Sequence, residues 1–289
     1  MTTPLHERGA GRAGLVLALL VAAPVAVGVA YAALAALGVA GYGAGTPSLD
    51  RFARVLAERA TWSGLGWSLW VAAAATGLGG VAAAVTAIGF RGTGRADRAA
   101  RALAILPLPV PHLVAGATAL LILGQSGMIA RLLAAAGGIE VPAEMPALVY
   151  DRAGIGLILA LAWKEFPFLA LLAFSVLATR GAALEETARG LGAGPLQVLR
   201  HITIPVLWRG LLPGAAAVFT FALGSYEAAA LLAPSDPLAL PLLIEERYTG
   251  PDLARRADAY VLVLVAAAAS AALVLLHEWL RSRPGVAEQ

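Results

Sequence analysis

Lys164 and Glu165 stand side by side in the middle of a long apolar run, and Glu227 lies near the end of another. An ionisable group at the centre of a bilayer costs about 2.5 to 3.5 kcal/mol on insertion scales, so each requires a partner or a watery cavity. Neighbours on a helix project about 100° apart, and neither residue has an ionisable group three or four positions away within the run. Their partners must come from other helices, from a cavity or from another chain. Two readings stay open at this point. In one, Lys164, Glu165, Tyr226 and Glu227 are candidate translocation-path residues that favour a cation, with Tyr226 and Trp163 stacking on it. In the other, the acids form structural ion pairs with Lys164 or Arg152.

Other chemistries find less support. Gly124-Gln125-Ser126-Gly127 resembles the Gly-x-Ser-Gly of rhomboid-type intramembrane serine proteases, and His277 offers a base. A serine nucleophile and its base must come within hydrogen-bond reach, whereas the topology derived below sets these two at opposite faces of the bilayer. His6, His112, His201 and His277 are dispersed without metal-ligand spacing, so no metal site is expected, and His112 and His201 are read as structural. Cysteine is absent, which removes disulfides, thiolate sites and cysteine nucleophiles. A phosphate-binding loop needs a Gly-rich stretch ending in Lys and Ser or Thr. Lys164 is the only lysine, so no catalytic residue and no bound cofactor is expected, and the chain is not expected to be an enzyme.

The elements that carry these residues are membrane spans. Of the 289 residues 60% are hydrophobic and 13% are charged, where soluble proteins carry roughly 25% charged residues. At about 20 apolar residues per crossing, the fold class expected is all-α, a polytopic bundle of six transmembrane helices. The spans are expected at about 14–40, 64–90, 102–125, 154–177, 211–232 and 259–276, in a single transmembrane domain over 1–289. The first run is longer than the apolar part of a secretory signal and reads as a retained span. Phe52 and Leu56 at helical spacing place a surface helix between spans one and two. Arg91, Arg95, Arg98 and Arg101 form the densest basic loop, and the positive-inside bias sets that loop and both termini in the cytoplasm. The net charge of +3 reads as topology signalling rather than as a nucleic-acid surface. Pro107, Pro109 and Pro111 each remove a backbone donor, so span three is expected to kink or break near its cytoplasmic end. Such backbone survives at membrane depth only under protein or beside a water-filled cavity.

Between spans four and five, residues 178–209 are too polar for lipid. Glu186-Thr187-Ala188-Arg189-Gly190-Leu191-Gly192 is followed nine residues later by Ile202-Thr203-Ile204-Pro205. Leu184, Ala188 and Leu191 fall at i, i+4 and i+7 on one helical face. This spacing resembles the signature loop of permease subunits of binding-protein-dependent ABC importers: Glu-Ala-Ala, three residues, Gly, nine residues, Ile, one residue, Leu-Pro. Thr187 replaces the first Ala and Ile204 replaces the Leu. The likeness extends over roughly residues 60 to 280. Trp163 to Phe168, Glu185 to Pro205 and Gly224-Ser225-Tyr226-Glu227 look like the permeases of polyamine (spermidine and putrescine), ferric iron and thiamine importers. Gly190-Leu191-Gly192-Ala193 stands where sugar permeases usually carry Ile-Asp-Gly-Ala.

The resemblance implies a type I permease in a bacterial inner membrane. It implies an ATPase-coupling loop using Glu185, Glu186, Ala188, Arg189, Gly190, Gly192, Ala193, Ile202 and Pro205. It further implies a second, different permease, two ATPase subunits that hold ATP and Mg, and an extracytoplasmic substrate-binding protein. A polyamine-like cation is the favoured cargo, with iron, thiamine or phosphonate as others. The alternatives are a secondary transporter or a non-transporting membrane scaffold. Inverted-repeat transporters often show two related halves with broken helices, and no such symmetry is visible in the sequence.

Overall fold

The computed structural model describes residues 5–41, 44–253 and 255–282. It is 76% helix, with no strand among the described residues. Among the described residues, six helical stretches are long and apolar enough to cross a membrane: Val16–Ala36, Arg59–Gly89, His112–Ala135, Ile155–Gly190, Pro195–Leu223 and Arg256–Leu276. The all-α architecture with six candidate spans is therefore present.

The chain groups into two compact units, one of Met1–Thr61 with Leu243–Ala269 and one of Trp62–Leu242 with Ser270–Gln289. In the first unit, α1 (Leu5–Ala36) is followed by α2 (Asp50–Ala57), the helix expected from Phe52 and Leu56. The residue that α2 buries is Val55, and beside it Arg54 pairs through two nitrogens with the fully buried Asp258, the shorter contact being 2.7 Å. Glu58 accepts from Arg247 at 2.6 Å, and Tyr31 and Tyr248 both pack edge-on against Tyr260.

The second unit contains most of α3 (Arg59–Gly89), then α4 (Arg95–Ala104), α5 (His112–Leu123), α6 (Met128–Ala135) and α7 (Ile155–Val176). There follow α8 (Ala182–Gly190), α9 (Pro195–Val198), α10 (Ile204–Leu223) and α11 (Tyr226–Leu232). Two further helices, α12 (Leu240–Thr249) and α13 (Arg256–Ser282), run from one unit into the other along the chain. α7 is the central element, packing against α5, α10 and α11. Its contact with α10 is close because of Gly210 and Gly214, a small-residue pair at i, i+4 of the kind that lets membrane helices approach. A Cβ at Gly210 would lie 2.6 Å from the Val176 side chain, and one at Gly214 would lie 2.5 Å from Leu172. Ala173, Val176, Leu177, Leu207 and Leu211 close the core there.

Two expected spans are divided. Residues 102–125 do not form one helix: α4 ends at Ala104, Ile105 to Pro111 run through successive turns, and α5 begins only at His112. Three prolines at alternate positions leave too few backbone donors for a regular ladder. The stretch 211–232 is broken at Gly224 and Ser225 into α10 and α11.

Candidate functional site

The helix of span four does not stop at the membrane. From Ile155 it continues to Gly190 for 36 residues, about 54 Å at 1.5 Å per residue, against a hydrocarbon core of about 30 Å. The excess carries Arg180, Glu185, Glu186 and Arg189 beyond the apolar layer. A π-helical turn over Leu177–Gly181 leads into α8, and a second over Leu199–Thr203 leads into α10.

α8 ends in a Schellman arrangement. The Ala193 N–H donates to Ala188 O and the Gly192 N–H donates to Arg189 O, both at 3.0 Å. The reversal places Gly192 at φ +90°, a left-handed conformation that glycine adopts without a Cβ penalty. Pro195 then opens α9, with the Gln197 side chain accepting from the Gly194 N–H at 2.9 Å.

The adjacent acids of this loop have opposite surroundings. Glu185 is buried and takes three donors: Arg91 Nη1 at 2.5 Å and Thr203 Oγ1 at 2.6 Å on one oxygen, Arg189 Nη2 at 2.9 Å on the other. Burial alone would push its carboxyl up. The hydrogen bonds from Thr203 and Arg91, with the charges of Arg91 and Arg189, outweigh that and hold it below the ordinary value. Glu186 is exposed, as are Arg189, Gly190 and Gly192, while Ala188, Ala193, Ile202 and Pro205 are half-buried. The leucines of the expected stripe point outwards: Leu184 is 50% exposed and Leu191 85%, and Leu196 beyond the reversal is 75% exposed. A cleft of about 480 Å³ beside the loop is lined by Arg91, Arg101, Phe174, Glu185, Glu186 and Arg189, among others.

The candidate path residues are not brought together. Lys164 is buried and donates to the Leu108 carbonyl in the broken segment, at 3.3 Å. Glu165 meets His112 Nε2 at 2.9 Å, and Phe221 packs on the His112 ring with centroids 4.5 Å apart. Tyr226 and Glu227 begin α11 and are exposed, and Trp163 is 46% exposed. The ion pairs considered for Lys164 and Arg152 are therefore replaced. Lys164 takes a backbone carbonyl that prolines have freed, Glu165 takes a histidine, and Arg152 pairs with the exposed Asp236 at 3.3 Å. Sequence reasoning missed the role of Arg91, which it read only as a topology signal, and gave Thr203 no partner. Ser126 is exposed at the turn between α5 and α6, and the His277 side chain lies outside the described residues. Among the described residues no three His, Asp or Glu side chains gather as metal ligands.

Residues 75–283 match the family described as "Binding-protein-dependent transport system inner membrane component". The chain belongs to this family. It is a multi-pass permease component of the inner membrane. Its relatives include the molybdenum transport system permease ModB of Mycobacterium tuberculosis, 34% identical over 181 residues, covering 61% of this chain and 64% of that protein. A probable molybdenum ABC transporter permease of Haloferax volcanii is 30% identical over 178 residues, 61% of this chain and 59% of that one. The sulfate permease CysW of Synechocystis is 28% identical over 183 residues, with 62% of each covered. The matched stretch thus spans less than two thirds of each relative. A chain of a bacterial alginate ABC transporter, solved in complex with an alginate pentasaccharide-bound periplasmic protein, shares this fold with a TM-score of 0.72 at 16% identity over 96% of both chains.

Proposed function

We propose that this permease forms the translocation path of an ATP-driven importer for a tetrahedral oxyanion of the molybdate and sulfate class. It would work with a second permease, two ATPase subunits that hold ATP and Mg, and an extracytoplasmic binding protein that delivers the solute. The observation that carries the coupling role is the set of exposed leucines, Leu184, Leu191 and Leu196, on a loop otherwise too polar for lipid. Apolar side chains left in water on a structured loop mark an interaction surface. α8 is read as the helix that docks into the ATPase, with Glu186 exposed on it, and Gly192 and Pro205 shape its exit. Closure of the ATPase pair would draw the two loops of a permease dimer together and rock the spans from inward-open to outward-open.

The oxyanion reading is supported by the relatives, which are permeases of molybdenum and sulfate systems. The polyamine reading rested on the resemblance of Trp163 to Phe168, Glu185 to Pro205 and Gly224 to Glu227 to polyamine-type permeases, with Glu165 or Glu227 as the acid that would favour a cation. Glu165 is already engaged by His112, which leaves Glu227 as the single acid of that pair facing outwards. The test is uptake into proteoliposomes holding the assembled transporter. Labelled molybdate or sulfate entering on ATP addition, with putrescine excluded, is the expected result. Putrescine uptake without either oxyanion would restore the cation. Gentle detergent extraction of the wild type without an associated ATPase subunit would overturn the importer reading itself.

A further inference from the structure

Glu185 joins segments that an ordinary loop would leave separate. Arg91 follows α3, Arg189 belongs to α8 and Thr203 lies in the π turn leading to α10, and all three donate to one carboxylate whose side chain is 6% exposed. Arg91 is the distant member, 94 residues away in the chain. The two π turns that bracket the loop pack against each other. Such turns interrupt α-helical register and often sit at functional positions. A displaced α8 could be absorbed at these two turns, unless something fixes it to the helices on either side. Charge-assisted bonds to a buried carboxylate are among the stronger side-chain connections available, and here they bypass both turns.

We propose that the Arg91–Glu185–Thr203 clamp makes α8 move as one body with α3 and α10, so that displacement of the loop reaches several membrane helices together. The inference rests on reading α8 as the docking helix for the ATPase. Arg91 and Thr203 are positioning residues in this scheme: neither reaches solute or nucleotide, and both act through Glu185. Without Arg91, Glu185 keeps Thr203 and Arg189 but loses this bond to the segment that follows α3.

The natural absence of cysteine allows a clean distance measurement. Cysteines replacing Ala183 on the exposed side of α8 and Val85, 65% exposed on α3, carry a pair of spin labels. The full transporter, with its ATPase and binding protein, is reconstituted and probed with and without a non-hydrolysable ATP analogue. In the wild-type background the distance is expected to be narrow and unchanged by nucleotide. In Arg91→Ala it broadens and becomes nucleotide-dependent, and solute moved per ATP hydrolysed falls about tenfold, within the usual span of coupling free energies. Arg91→Lys restores part of both. Thr203→Val, an isosteric change, gives a smaller loss of the same kind and serves if Arg91→Ala does not assemble. A wild-type distance that shifts with nucleotide, or Arg91→Ala and Thr203→Val distributions identical to wild type, would overturn the clamp. Recovery of the ATPase with the wild type in either case shows that the docking reading stands while the clamp alone has failed.

Discussion

Charge is held differently in the loop between α7 and α10 and in the interior of the bundle. In the loop, one carboxylate is surrounded by two guanidinium groups and a hydroxyl. In the interior, Lys164 leans on a backbone carbonyl and Glu165 on an imidazole, a base that can be neutral. The difference follows from the surroundings. Near water, the cost of gathering three charges is moderate and repaid by strong bonds. Inside a bilayer a further full charge adds to the insertion penalty, so the acid and the base are satisfied by groups that need carry none. On the proposed reading the loop site transmits force, whereas in the interior Lys164 holds the Leu108 carbonyl of the broken segment.

The largest effect that would break this comparison is expected at the loop surface. Leu191→Asp puts a charge on a side chain that is 85% exposed, so folding should be untouched. Co-purification of the ATPase should be lost and uptake abolished. Retained binding would remove the docking surface from Leu191.

Next, Glu185→Ala and Glu186→Ala separate the two neighbours. Removing Glu185 leaves Arg91, Arg189 and Thr203 without their acceptor, and thermal unfolding in detergent should register about 2 kcal/mol of lost stability. Glu186→Ala should change stability by less than about 0.5 kcal/mol, as exposed positions do, while weakening the association with the ATPase. Equal losses would erase the distinction between an inward and an outward acid.

The same carboxylate has a pH signature. Its folded pKa is held below the ordinary value of 4.5, so its contribution is present above that value and is lost as pH falls through the folded one. Wild type should therefore exceed Glu185→Gln in stability at neutral pH, and the two unfolding curves should converge below about pH 4.5. A gap that persists in acid would assign the difference to packing.

Gly192→Val tests the reversal after α8. There is open space for a side chain, but φ is +90°, so the expected cost is strain of about 1 to 2 kcal/mol. ATP hydrolysis should continue in the assembled transporter with less solute moved, and normal uptake would separate the reversal from coupling.

The smallest effect is expected in the interior. Lys164→Met saves the insertion cost of a buried amine, about 2.5 to 3.5 kcal/mol, and leaves the Leu108 carbonyl unpaired at about 1 to 3 kcal/mol. The two nearly cancel. A large destabilisation on unfolding would mean that Lys164 does more than satisfy that carbonyl.

The span pattern and the loop were legible in the sequence because both are local. Apolar length announces a crossing, and Glu186 to Pro205 carries its identity in spacing. The prolines at 107, 109 and 111 likewise announced a broken helix, since each acts on its own backbone. Arg91 with Glu185, His112 with Glu165, and Lys164 with Leu108 are pairings across 94, 53 and 56 residues. No periodicity encodes them. The cation reading of the path met the same limit: it treated Glu165 as available, and His112, at the start of another helix, engages it. In the stripe of Leu184, Ala188 and Leu191 the two leucines are exposed and Ala188 is half-buried, which only the fold could tell.

The broken third crossing also constrains how the protein is made. α5 alone has 12 residues and rises about 18 Å, so crossing a core of roughly 30 Å takes α6 as well, within the stretch His112–Ala135. In the amino-terminal approach to α5 the Ile105, Pro107 and Pro111 carbonyls accept from the Leu108, Val110 and Ala115 N–H groups, whereas the Leu108 carbonyl accepts from Lys164. The amine that quiets Leu108 is synthesised 56 residues later. The Leu108 carbonyl therefore gains its side-chain partner only after α7 has been made.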